Sequence, residues 1–418
     1  MVLYTTVAPR IILFVAVSVA NSLLFLGVWV WVRGHALPPN PAWPIAMIVI
    51  GLVFRATLLF VEPTASDDYF RYLWDGKVQA NGINPYRYAP ADTALSSLHT
   101  DTLPSRVNFP QMKTIYPPVA QGIFLLAHIL GGESVLTLKL LLLVCEALTL
   151  VMLLRTLRAM QLPEHHLGLY AFCPLPILHF MVDAHVDGFA VPFLILGILL
   201  WHKGAHGRAG IALAGAIGMK IFPVITLPSL VSAARGPRRV LAIIFPLALV
   251  GILYLPFILG GGEPFGSILT FSAHWEANSS LFRIILAVVD DNQWAHLVSN
   301  ALIAVWILFI ASRRWPLVRR LYWSVMGFFL LASTVHPWYL AWVAIFLPLL
   351  PRWSGIAFVT LGNLAGITVI HYLQDGIWLQ PLWALVVEYV PVYVLVAIEL
   401  RRDFQDGGMW LRKMEANL

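Results

Sequence analysis

From Ile11 to Val32 the chain runs for 22 residues without a charged side chain. A helix of that length reaches about 33 Å, enough to cross the hydrocarbon of a bilayer, and the run is too long for a signal-peptide core. Further apolar runs fill 43–61, 134–154, 167–182, 189–201, 239–259, 294–312, 320–335, 339–350, 355–373 and 382–400. Only 11% of the residues are charged, 59% are hydrophobic and the mean hydropathy is +0.79, whereas soluble domains carry about 25% charge. The chain therefore reads as an all-α polytopic membrane protein. Runs 167–182, 189–201, 320–335 and 339–350 are shorter than the roughly 17 residues of an unaided span, so they borrow flanking residues such as Asp183 or His336.

The basic residues cluster in short links between these runs, which suits membrane orientation rather than nucleic acid, despite a pI near 9.4. If the loop after the second run is extracytoplasmic, 17 of the 27 Lys and Arg fall inside, among them Arg33, Arg155, Arg158, Arg235, Arg319, Arg320 and Arg352, and eight fall outside. Arg55 and Lys220 remain within apolar sequence, where a charge needs a partner or a watery cavity; Glu146 and Glu388 are the candidate partners. This orientation puts the N-terminus outside and a tail, 401–418, in the cytosol. Residues 1–400 form one transmembrane domain, with extramembrane sequence concentrated in 62–118 and 259–293. Ala209 to Ala234, with Lys220 in the middle and Pro223 and Pro228 beyond it, reads as a re-entrant hairpin or a pair of broken helices. Val119 to Leu130, closed by Gly131 and Gly132, reads as an interfacial helix. Cys145 and Cys173 lie in apolar runs and imply no disulfide.

The densest chemistry is SDDYFRYLWDGKVQANGINPYRYAP, Ser66 to Pro90. Asp67 and Asp68 could supply a general base for a hydroxyl nucleophile, or could cap the helix that begins at Tyr69. Around them Arg71, Tyr72, Trp74 and Asp75 combine aromatic faces for sugar rings with a base for phosphate. An aromatic belt explains the rings but not the acids and amides. A second group, Asp183, His185 and Asp187, interrupts apolar sequence and reads as a polar cavity floor or, with a fuller ligand set, a metal site. A third is His336, Trp338 and Tyr339 at the outer end of a run. His274, Glu276 and Arg283 could bind acceptor or phosphate, or order their loop. Lys113 and Tyr116 lead into the interfacial helix, where a Lys either neutralises a lipid phosphate or snorkels to the headgroups.

The 66–90 stretch, taken with IYPP at 115–118, DAHVDG at 183–188, GMKIFPVITLP, HWEANSSLF and HPWYLAW, resembles the polyprenyl-phosphate-sugar-dependent integral membrane glycosyltransferases of the C-type fold, in particular the bacterial polyprenol-phosphate-mannose-dependent mannosyltransferases. The resemblance implies a bundle of about 11–13 transmembrane helices with a large first extracytoplasmic loop, in the plasma membrane of a bacterium. It implies inverting transfer of a hexose, mannose by the nearest likeness, from a polyprenyl phosphate to a hydroxyl of a lipid-linked or glycan acceptor on the extracytoplasmic face. On that pattern an Asp followed four residues later by Tyr acts as base, which fits Asp68 and Tyr72, and His336 serves the donor phosphate or catalysis. Asp67 would orient the acceptor or the base, and Lys113, His336 and Arg283 would take the phosphate. No cofactor is required, although a divalent metal could replace some of those cations. The rival reading from another class is a secondary transporter using Arg55, Lys220, Glu146 and Asp183 at the midplane. The concentration of charge in an outer loop favours the enzyme.

Overall fold

The computed structural model describes residues 2–34, 40–234, 236, 238–376 and 378–415. Arg235 and residues 416–418 of the expected tail lie outside the described residues. The described chain is helical throughout, with an isolated bridge between Ala277 and Thr334 in place of any sheet. Helices α1 (Val2–Gly34) and α2 (Trp43–Ala56) precede the long loop, which holds α3 (Tyr69–Ala80) and ends at α4 (Pro118–Gly131). Next come α5 (Val135–Ala159), the short α6 (Gly168–Ala171) and α7 (Pro174–Met181), then α8 (Asp187–His202) and α9 (His206–Met219). The chain continues through α10 (Leu227–Ala233), α11 (Arg238–Leu259), α12 (Gly266–His274), α13 (Leu281–Val289), α14 (Asn292–Ala311) and α15 (Leu317–Leu331). It closes with α16 (Ala341–Ala344), α17 (Trp353–Leu361), α18 (Ile367–Asp375) and α19 (Leu382–Glu415).

Five segments of the described residues are long and apolar enough to cross a membrane: Pro9–Gly34, Val135–Ala159, Asn292–Ala311, Trp353–Tyr372 and Leu382–Gln405. Their outward faces are apolar, with Leu24 on α1, Val305 on α14 and Val394 on α19 exposed, as expected where the solvent is lipid. The interior is also apolar. Helix α8 is buried on nearly all sides between α5 and α9, so it shows no polar stripe. The expected run 167–182 is split at Phe172–Cys173 into α6 and α7, and 339–350 becomes a 3-10 turn, Pro337–Leu340, followed by α16. The expected tail begins as further turns of α19, where Asp403 is buried and bonded to Trp323 and Arg352.

Residues 209–234 form two helices with a break between them. α9 packs on α8 and α11, while α10 packs on α11, α14 and α15. The break is at Lys220, which is extended (φ −151°, ψ 133°), and Pro223 and Pro228 sit at the starts of the two short turns that follow, where a missing N–H costs little. Helix α4 forms where expected and packs on α3. Gly76 permits that approach, since a Cβ there would meet the Phe124 carbonyl.

The start of α1 shares an end of the molecule with the long loop, because Arg10 pairs with Glu62 at 2.9 Å. The same end gathers Lys113 against Glu263, and residues 275–277 laced to 333–335 by Ala277 N–H to Ser333 O (3.0 Å) and Val335 N–H to Ala277 O (2.8 Å). Arg33, which stacks on Trp353, lies at the opposite end with Arg319, Arg320 and Arg352. The segregation of the basic residues in sequence thus corresponds to two ends of the structure.

Candidate active site

Asp68 is the N-cap residue of α3, yet its side chain makes no capping bond. The capping role considered for the acid pair is therefore not what the carboxylate does. Its Oδ2 instead lies 3.7 Å from Nδ1 of His185, whose ring is fully buried. The Asp68 side chain keeps 30% exposure. Burial, followed by the adjacent Asp67 carboxylate, pushes its pKa up to about 7, while Lys220 pulls the other way. Asp67 is more open; its carboxylate accepts from the Asn108 amide and its pKa is raised by burial.

His185 is the outer layer of a ring stack. Trp338 lies against it at 3.6 Å between centroids (14° between planes), and His336 lies against Trp338 at 4.4 Å and 5°. Tyr339 meets His336 edge-on. Thus DAHVDG and HPWY, about 150 residues apart in sequence, form one wall beside Asp68. The opposite elements bring Tyr72, stacked on Phe124 at 4.8 Å and edge-on to Tyr116 at 5.1 Å.

The cation of this chamber is Lys220. Its Nζ donates to both oxygens of Asp187, at 2.6 and 2.8 Å, and lies 3.7 Å from the centre of the Tyr339 ring. Trp342 Nε1 donates to Asp187 at 2.7 Å, so the carboxylate is fixed from two sides. Lys220 retains 22% side-chain exposure, and the Tyr339 ring on which it sits meets His336, the far layer of the stack that stands beside Asp68. Sequence reasoning noted Lys220 as a charge in need of a partner and gave it a role only in the transporter reading; of the acids it offered, Glu146 pairs with Arg55 and Glu388 accepts from Asn278, while the partner of Lys220 is Asp187. The signal that could have found it is the lysine at the break of an apolar helix.

The other residues singled out from sequence take different places. Arg71 donates to the carbonyls of Asn108, Phe109 and Met112, so it holds the loop that carries Asn108. Asp75 is buried and accepts from Gln121 at 3.0 Å, joining α3 to α4; burial raises its pKa, with Arg71 opposing. Trp74 is buried beside His99. The Tyr116 carbonyl accepts from the Tyr86 hydroxyl at 2.6 Å. Lys113 pairs with Glu263 at 2.6 Å, tying the long loop to the second loop. Glu276 accepts from Ser279, His274 bonds the Thr270 carbonyl, and Arg283 donates to the Gln380 carbonyl. Arg283 and Glu276 line a separate cleft with Trp378. The expected phosphate cations Lys113 and Arg283 bond to Glu263 and to the Gln380 carbonyl, partners too distant in sequence to foresee.

Fold and site together define an all-α membrane protein whose ionisable chamber lies at one end of its bundle, roofed by a long loop. Residues 2–236, more than half of the chain, match the family described as alpha-(1->6)-mannopyranosyltransferase, N-terminal domain, and the protein belongs to that family. The matched part holds Asp68, His185, Asp187 and Lys220. Alpha-(1->6)-mannopyranosyltransferase B of Corynebacterium glutamicum is 24% identical over 370 residues, which cover 76% of this chain and 60% of that relative. The alignment therefore spans about 60% of the length of the curated relative.

Proposed function

We propose that the protein transfers mannose, with inversion, from a polyprenyl phosphate to a hydroxyl of a lipid-linked or glycan acceptor, on the extracytoplasmic face of a bacterial plasma membrane. The observation that carries this reading is the placement of two partly exposed charges around one ring cluster: Asp68 against His185, its carboxyl raised toward neutrality, and Lys220 against Tyr339. The acceptor oxygen attacks the anomeric carbon of the donor as its proton passes to Asp68. The bond from that carbon to the phosphate oxygen breaks, and the polyprenyl phosphate leaves with the electron pair. A base positioned on the hydroxyl is worth about 10²–10⁴ in rate. The leaving phosphate needs cationic or donor groups already in place, and Lys220, with His336 beside Tyr339, supplies them. Asp67 orients the acceptor. Family membership and the mannosyltransferase named among its relatives support the sugar; the charges at the loop end, together with the positive-inside bias, support the side.

The test uses the full chain purified in lipid, incubated with radiolabelled polyprenyl-phosphate mannose or with a nucleotide-linked mannose, plus a lipid-linked mannoside. Label is expected in the acceptor from the polyprenyl donor alone, with the anomeric configuration of the product opposite to that of the donor. Transfer from the nucleotide donor, or retained configuration, would overturn the proposal.

A further inference from the structure

Behind the wall of the chamber three ligand-type side chains converge with unoccupied polar atoms. His179 on α7, Asp183 in the α7–α8 link and His185 in the same link each offer one atom, and the three atoms lie within 4.8 Å of one another. All three side chains are buried, at 3% exposure or less. His179 Nδ1, Asp183 Oδ2 and both ring nitrogens of His185 have no hydrogen-bond partner. A buried polar atom left in that state costs stability, and three side chains sharing it in one place is a costly arrangement unless something binds there.

The remaining atoms are arranged as metal sites arrange them. His179 Nε2 is 3.3 Å from Asn363 Oδ1, an acceptor, so the proton belongs on Nε2 and the lone pair of Nδ1 faces the cluster. Asp183 Oδ1 accepts from the backbone N–H groups of Thr64 and Ala65 at 2.8 and 2.9 Å, which leaves Oδ2 free, 3.6 Å from His179 Nδ1. Ligand atoms around a four-coordinate ion stand about 3.3 Å apart, so that pair is already near its spacing. The sequence groups Asp183, His185 and Asp187; the structure removes Asp187, held by Lys220 and Trp342, and adds His179, four residues before Asp183 on the last turn of α7.

We propose that His179, Asp183 and His185 bind one divalent first-row transition ion, of which zinc is the natural probe. Two imidazoles and one carboxylate suit zinc or its neighbours better than magnesium or calcium, which take oxygen ligands. The ion joins Asp183, which holds the N–H groups of Thr64 and Ala65, four and three residues before Asp68, to His179 of α7, and it fixes the ring that stands against Asp68. The site rests on its own ligand atoms and not on the sugar chemistry proposed above, and it shares with that reading the His185 ring beside Asp68.

The test takes the full chain, purified without a histidine tag, stripped with chelator and exposed to zinc or cobalt. Binding of about one zinc per chain, a rise in unfolding temperature and a cobalt absorption spectrum with nitrogen and oxygen ligands are expected. The variants His179→Ala and Asp183→Asn should lower bound zinc at least tenfold and lose the temperature rise, while His274→Ala should keep both. If either variant fails to fold, His185→Gln and the wild-type measurement still decide. A wild-type chain that takes up no zinc or cobalt, or variants that bind as much as wild type, would overturn the site.

Discussion

Two sets of buried charge in this bundle differ in how completely they are satisfied. Arg55 and Glu146 are wholly buried and closed on each other at 2.8 Å; Arg55 also donates to the Gly51 and Ala171 carbonyls, and Tyr170 donates to Glu146. At the loop end, Asp68 and Lys220 remain 30% and 22% exposed, and the histidines behind them leave ring nitrogens unpaired. A saturated pair holds helices together and offers nothing to a ligand. Charges kept accessible and incompletely paired are what a binding site needs, and they cost stability unless a substrate or ion joins them.

The contrast predicts different failures. Glu146→Ala strands Arg55 in the interior and should destabilise the fold by about 3–5 kcal/mol, read by chemical unfolding in detergent; a loss under about 1 kcal/mol would erase the distinction. Lys220→Met should reduce kcat for mannosyl transfer about 100-fold, the usual effect of removing one preorganised group at a developing anion. Combining it with Asp187→Asn should restore normal unfolding without restoring transfer. Trp338→Leu removes the ring between His185 and His336 and should lower kcat/KM about tenfold. Lys113→Ala breaks a pair whose Glu263 partner is 74% exposed, and transfer should change less than about threefold. A large loss there would return Lys113 to the phosphate role its sequence suggested.

The apolar runs were legible because lipid demands long uncharged helices, and α3 and α4 were legible because the long loop interrupts them with polar sequence. The acid pair and HPWY were also visible, since charges and rings stand out against an apolar background. What remained hidden was pairing across sequence distance: Lys220 with Asp187, Asn363 with His179, Glu388 with Asn278. Those contacts depend on how elements far apart in the chain pack, α8 on the broken helix, α7 on the 362–366 turn and the 275–280 link on α19, which residue spacing does not encode. The i, i+4 relation of His179 to Asp183 was present in the sequence and could have been read from helical periodicity. Arg71 and Asp75 carry the right chemistry for a site, but the carbonyls and amide that claim them lie 37–46 residues away.

The most direct measurement sets Asp68→Asn beside wild type in one preparation, following both thermal unfolding and transfer of labelled mannose from the polyprenyl donor. Asp68 is partly open and caps nothing, so the variant should unfold with the wild type while transfer falls by at least about 100-fold. Transfer near the wild-type rate would remove Asp68 as the base and contradict the account at its centre.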